Sequence, residues 1–125
     1  MSNNVILAKS FNAGGALVAN SIAKAGSNDY DVVQAAAATD SLVGVTTEVA
    51  SASAERVDVI MIGVADLKIG ATVTRGALLM SDSSGYGITA AASAGSNVRT
   101  IGIALMSGAS GDIIPCYVCP GSFQG

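Results

Sequence analysis

The most reactive side chains in this sequence are two cysteines, spaced Cys116-Tyr117-Val118-Cys119. At the start of a helix, a C-x-x-C pair would suggest thiol redox chemistry, and two such pairs would suggest zinc. Here the pair lies in "DIIPCYVC", whose alternating apolar positions predict a strand. Positions i and i+3 of a strand face opposite sides, so neither a Cys116–Cys119 disulfide nor a shared metal fits. Two small reduced side chains are expected, with an intersubunit bond as the alternative.

The sequence contains no histidine. That removes the usual general base, the commonest metal ligand and every Ser-His or Cys-His nucleophile. The acids in "SNDYD" (Asp29, Asp31) and "SDSSG" (Asp82) lack the spacing and terminal Glu of a calcium loop and read as turn residues. Glu55, Arg56 and Asp58 read as solvated positions next to a turn. "GYG" and "GGA" lack the strand-glycine-helix context of a phosphate loop. No catalytic residue, metal site or cofactor site is expected, and the chain is not read as an enzyme.

What, then, do the elements around these residues position? The chain has 125 residues, one domain by length. Half of it is hydrophobic but only 12% is charged, about half the usual share of roughly 25%. A surface so poor in charge suits a subunit covered by neighbours better than a free monomer. The net charge is −3. The six bases (Lys9, Lys24, Arg56, Lys68, Arg75, Arg99) are scattered singly, which offers no basic stripe for phosphates. Tryptophan is absent and aromatics are few, so a base-stacking platform is not expected either. No nucleic-acid partner is expected. The start "MSNNVILAKSF" lacks the basic-then-apolar order of a signal peptide, and no run is apolar enough to span a membrane as a helix. The expectation is a protein made in a cytoplasm, with no membrane partner.

An internal repeat organises the chain. "GALVANSIAKAGSNDYDVVQAAA" from Gly15 aligns with "GATVTRGALLMSDSSGYGITAAA" from Gly70. "LVGVT" (Leu42 to Thr46) then meets "TIGIA" (Thr100 to Ala104), and "ASAERVDV" from Ala52 meets "ASGDIIPC" from Ala109. The repeat spans about 15–63 and 70–121. It also bears on "VVQAAAATDSLVGV", where four alanines favour helix between strand-like flanks. In the second copy the stretch from "TAAASAGSN" to the next matched strand is three residues longer and contains Gly95, Ser96 and Asn97, a poor mixture for a helix. Both stretches therefore read as a strand end and a loop, with a short helix over the end of a barrel as the alternative.

The strongest strand is "ERVDVIMIGVADL". Val57, Val59 and Met61 face one way, and Asp58, Ile60 and Ile62 the other. Both faces become apolar, which places the strand centrally in a barrel or against another subunit. Ile60 and Ile62 are the expected subunit-interface residues. "SLVGVTTEV", "ATVTRGALLMS", "YGITAAA", "VRTIGIALMS" and "DIIPCYVC" supply further strands, and Pro115 predicts an edge or bulge in the last. Short strands separated by Gly, Ser and Asp argue for an all-β barrel or sandwich of two similar halves. The expected organisation is a flexible N-terminal arm, residues 1–14, and a single β domain, 15–125.

In order, "SNDYD", "VVQAAAATDSLVGVT", "ASAERVDVIMIGVADLKIGATVTRGALLMSDSSGYGITAAA" and "RTIGIALMSGASGDIIPCYV" resemble the capsid cement, or head decoration, proteins of tailed bacteriophages. The resemblance runs from about Ala13 to Gly121. "PCYVCPG" departs from it where plain aliphatic residues are expected, as does the polar "MSNN". It implies a structural virion protein, made in the bacterial host, that binds the outer surface of the head and clamps the major capsid protein. It also implies a homo-oligomer, commonly a trimer, with a dimer as the alternative. On this basis Val5, Ile6 and Leu7 of the arm are expected to bind the capsid protein by main-chain pairing. The rival readings are a fibre-base or tail-associated β domain and a small-molecule binding barrel. The latter needs a cavity lined by bulky residues, which so much Ala and Gly disfavours.

Overall fold

A computed structural model describes residues 4–47 and 51–124. Among these residues there is no helix. Nine strands follow in order: β1 (Asn4–Ala13), β2 (Ile22–Ala25), β3 (Asp31–Gln34), β4 (Leu42–Thr46), β5 (Arg56–Lys68), β6 (Leu78–Ser81), β7 (Gly87–Thr89), β8 (Asn97–Ala104) and β9 (Ile113–Gln124). The all-β reading holds. The alanine stretch forms no helix: β3 ends at Gln34, Ala35 is buried, and the chain turns before β4. Two backbone N–H groups there, Ala36 and Ala37, donate to the Asp40 carboxylate (2.8 and 2.9 Å).

The strands form one sheet in the order β1-β3-β2-β4-β5-β9-β8-β6-β7, and β1 also pairs with β5. That extra pairing closes β1, β3, β2, β4 and β5 into a circuit. A second circuit runs β5-β9-β8-β6-β7 and returns to the end of β5 through a parallel bridge, Ile69 to Gly87. The long strand β5 belongs to both. Its N-terminal half completes the first circuit, and its C-terminal half begins the second.

The halves match pair for pair. Val45↔Ile60 and Thr46↔Val59 in the first correspond to Ile103↔Tyr117 and Ala104↔Cys116 in the second. Ala13 N–H donates to the Glu55 carbonyl (2.8 Å) where Ile69 N–H donates to that of Asp112 (2.9 Å). In the first half Asn20, Tyr30 and Ala54 have positive φ, and in the second Gly76, Gly85 and Gly111 occupy the equivalent turns. Glycine enters the left-handed region without the steric cost that a Cβ imposes. The second half therefore makes these turns with the less strained residue.

Alternation along each strand fills two cores. Val57 and Val59 of β5 point into the first circuit with Ala13, Leu17, Ala23 and Val32, and Phe11 and Met61 pack against them. The second core holds Ala65, Leu67, Ile69, Val73, Leu79, Ile114, Cys116 and Val118. It also takes in Ile22, Val45 and Ile60 from the outer face of the first half. Burial of such aliphatic side chains is worth roughly 1.5–3 kcal/mol each. The shared second core thus locks the halves together.

Polar contacts reinforce the junction. Gln34 accepts from Val18 N–H (3.1 Å) and donates to the Ser84 carbonyl (3.1 Å). Ile22 N–H donates to the Gly85 carbonyl (2.8 Å), and Arg99 N–H to that of Ala38 (2.7 Å). Pro115 lies where its partner strand stops. Its carbonyl accepts from Leu105 N–H (3.0 Å), one step past the last β8 pair, Ala104↔Cys116, so the donor it lacks costs the ladder nothing.

Candidate interaction surfaces

The residues read from sequence as an arm form β1, which lies antiparallel along β5 from Asn4↔Val64 to Asn12↔Arg56. Its register shifts between Val5 and Leu7 and again between Leu7 and Ala8. Gly63, at φ +130°, makes this contact possible. A Cβ there would stand 2.6 Å from the Asn4 carbonyl oxygen and 3.1 Å from Val5 Cα.

Burial is slight along β1. Every residue from Asn4 to Ser10 is exposed. Val5 is 45%, Ile6 75% and Leu7 46% exposed. The three expected capsid-binding residues are thus uncovered at the side chain, while their main chain already pairs with β5 along one edge. On the barrel side, Lys9 Nζ lies over the rings of Phe11 (5.9 Å) and Tyr30 (5.6 Å). On the other side, Ser10 donates to the Asp58 carboxylate (2.6 Å).

The two residues expected at a subunit contact separate. Ile60 is 1% exposed and belongs to the second core. This corrects the sequence expectation, because the apolar second face of β5 at Ile60 is covered by the chain's own other half and cannot reach a neighbouring copy. Ile62 is 38% exposed and lies opposite Leu7.

A further apolar row was not anticipated. Leu78↔Ile103, Ile103↔Tyr117 and Tyr117↔Val64 are successive cross-strand partners on β6, β8, β9 and β5. Their neighbours on those strands face the core, so the four side chains share the outward face. Each is exposed or half-buried. In the sequence these positions read as ordinary strand alternation, and only the register brings them into line.

The reactive groups occupy structural roles. Cys116 is buried and Cys119 half-buried; both thiols are free. Burial pushes the Cys116 thiol up to about 12, with the nearby Cys119 adding to the rise. Asp82 accepts from the N–H groups of Ser84 (2.8 Å) and Tyr86 (2.9 Å), shaping the β6–β7 hairpin. Asp31 accepts from Asn28 (3.2 Å), and Glu55 from Ala52 N–H (2.6 Å). Burial pushes Asp40 up, but the Ala36 N–H, Lys24 at 3.4 Å and the Ala37 N–H outweigh it, holding the carboxyl below its usual value. Among the described residues, no group of three acids or cysteines could hold a metal ion, and no helix is long and apolar enough to cross a membrane. An open depression of about 620 Å³ is lined by Leu42, Arg99, Gln124 and neighbours, a polar rim unlike the apolar, enclosing site of a small-molecule binder.

No family model matches the sequence, and no curated protein matches it. The fold does have a counterpart among solved structures. It is similar to the crystal structure of the N base of head fibre gp8.5 from bacteriophage phi29, with a TM-score of 0.66. The match covers 90% of this chain and 93% of that one at 13% identity. The likeness is one of fold, and it takes in both halves rather than one.

Proposed function

We propose that this chain is a structural protein of a bacteriophage virion, bound to the outside of the head, where it braces the major capsid protein. The observation that carries this reading is the likeness to a phage head-fibre base across nearly the full length of both chains. The ordered series of motifs similar to head decoration proteins supports it independently. So does the outward apolar row on a surface with few charges, which suits contact with protein rather than with solvent alone. In this reading the chain performs no catalysis, needs no cofactor and touches neither nucleic acid nor membrane. Val5, Ile6 and Leu7 offer their side chains to the capsid. Each copy can bind weakly, because contacts with several capsid subunits add through effective concentration.

A fibre-base role is the second reading, and the phi29 counterpart specifically favours it. Both roles place the chain on the head, and they differ in consequence. Cryo-electron microscopy of virions made with and without the gene is the test. Density lost from the outer head surface supports the proposal; heads and tails indistinguishable in the two preparations overturn it. If heads lacking the chain also rupture at lower temperature, it acts as cement. If they keep their resistance but lose a projecting fibre, it is a fibre base.

A further inference from the structure

The repeat exposes an unfilled position. In β5 the edge facing away from β9 is occupied by β1, through Asn4↔Val64, Val5↔Gly63 and Ala8↔Ile60. The equivalent of this part of β5 in the first half is β1 itself, and among the described residues its corresponding edge is open before Asn12. There the only described strand on that edge is β3, which joins at Asn12 and Ala13. Asn12 N–H donates to the Tyr30 carbonyl on the β3 side (2.8 Å), whereas Ala13 N–H donates to Glu55 on the β5 side (2.8 Å). The register from Ala8 to Asn12 is unbroken, and a strand alternates the direction of its backbone groups. Ala8 and Ser10 therefore aim N–H and C=O at the open edge, while Lys9 and Phe11 serve the ladder to β5.

We infer that this edge is a self-association site, and that its occupant is β1 of a second copy, antiparallel about a two-fold axis. Three observations favour that occupant. The same edge in the second half is filled by this very segment, Asn4 to Ala8, running antiparallel. The segment carries uncovered Val5, Ile6 and Leu7, which an added strand would partly bury. Lys9 is the only charged side chain of β1, so two copies can meet without like charges opposite one another unless Lys9 lies on the axis. The pairing is isologous, each strand presenting the same edge. It thus gives a pair of chains rather than the three-fold assembly implied by the family resemblance. The inference does not depend on where in a virion the chain sits.

Ala8→Pro tests it. The proline removes an N–H that faces the open edge and leaves the β5 ladder its donors, as edge positions permit. Native mass spectrometry and sedimentation of the wild-type chain at tens of micromolar should show the two-copy species. Ala8→Pro should weaken association by about tenfold or more with an unchanged far-ultraviolet spectrum. Amide hydrogen exchange on the unmodified protein gives a second readout, valid even if the proline variant fails to fold. At concentrations where the pair forms, the Ala8 and Ser10 amides should be as protected as those of Lys9 and Phe11. A monomer at all concentrations, a trimer, or fast exchange at Ala8 and Ser10 in the associated state overturns the inference. Protection of those two amides only when heads are added would also overturn it, assigning the edge to a capsid strand instead.

Discussion

Val5 lies directly opposite Gly63, and the missing side chain of Gly63 is what lets the start of β1 lie against β5. A side chain there collides with main chain on β1, which has no flexible group to yield. Gly63→Val should therefore peel the start of β1 from β5 without unfolding the rest. Amide exchange should accelerate at residues 4–8, and the second core should stay protected. Unchanged protection over residues 4–8 would show that β1 does not depend on this close approach.

A second glycine relationship occurs once in each half. A Cβ on Gly44 would meet the Ile60 carbonyl, and one on Gly102 the Tyr117 carbonyl. These positions are equivalent in the repeat. Gly44→Ala and Gly102→Ala should each destabilise the fold by about 1–3 kcal/mol, the usual cost of forcing extra volume into a packed site. Denaturant unfolding monitored by circular dichroism checks this.

Ile60→Asp and Tyr117→Asp should part company. Ile60 is in the core, and a carboxylate there faces loss of packing together with burial of charge, a cost of several kcal/mol. The Ile60 variant should fail to fold or melt at far lower temperature. Tyr117 is exposed, so its variant should fold with little loss of stability and reduced binding to heads. A folded Ile60→Asp protein would contradict the assigned core.

Asp40 should show itself on acidification. Its folded-state pKa lies below the unfolded value because two N–H groups and Lys24 favour the charged form over the opposing effect of burial. That stabilisation is complete above the unfolded pKa, near 4, and is lost as pH falls through the folded value. Asp40→Asn should cost about 1–2 kcal/mol at neutral pH, and its stability should fall less steeply below pH 4 than that of the unaltered chain.

Cys116 should behave in the opposite sense. Its folded pKa is raised to about 12 from 9.0, so its neutral form suits the fold fully at neutral pH, and its contribution erodes as pH rises above about 9. In the native protein a thiol reagent should modify Cys119 and spare Cys116 until the chain unfolds. Equal labelling rates would contradict the buried placement.

Much of this architecture was legible in the sequence, for identifiable reasons. The two-faced pattern of Val57 to Ile62 marked β5 as central, and turn glycines separated the strands. The opposed faces of Cys116 and Cys119 followed from period two alone. Ile60 was misplaced because an apolar face records that something covers it, without recording whether the cover belongs to the same chain. The closing strand β1 was read as an arm because its contact with β5 rests on main-chain bonds and one glycine, which leave little hydrophobic pattern. The outward row from Leu78 to Val64 depends on register across four strands, which no local window contains.

The three residues by which β8 outruns its counterpart β4 at the start also have an architectural effect. β5 offers β9 the edge beyond Ile62, through Gly63 to Lys68. The equivalent edge of β9 is taken by the start of β8, with Asn97 to Thr100 opposite Gln124 to Gly121. The edge that β5 hands on to the next strand is thus closed within the second half. The second circuit thereby keeps its own margin paired, where the first must lend its margin to a neighbouring strand.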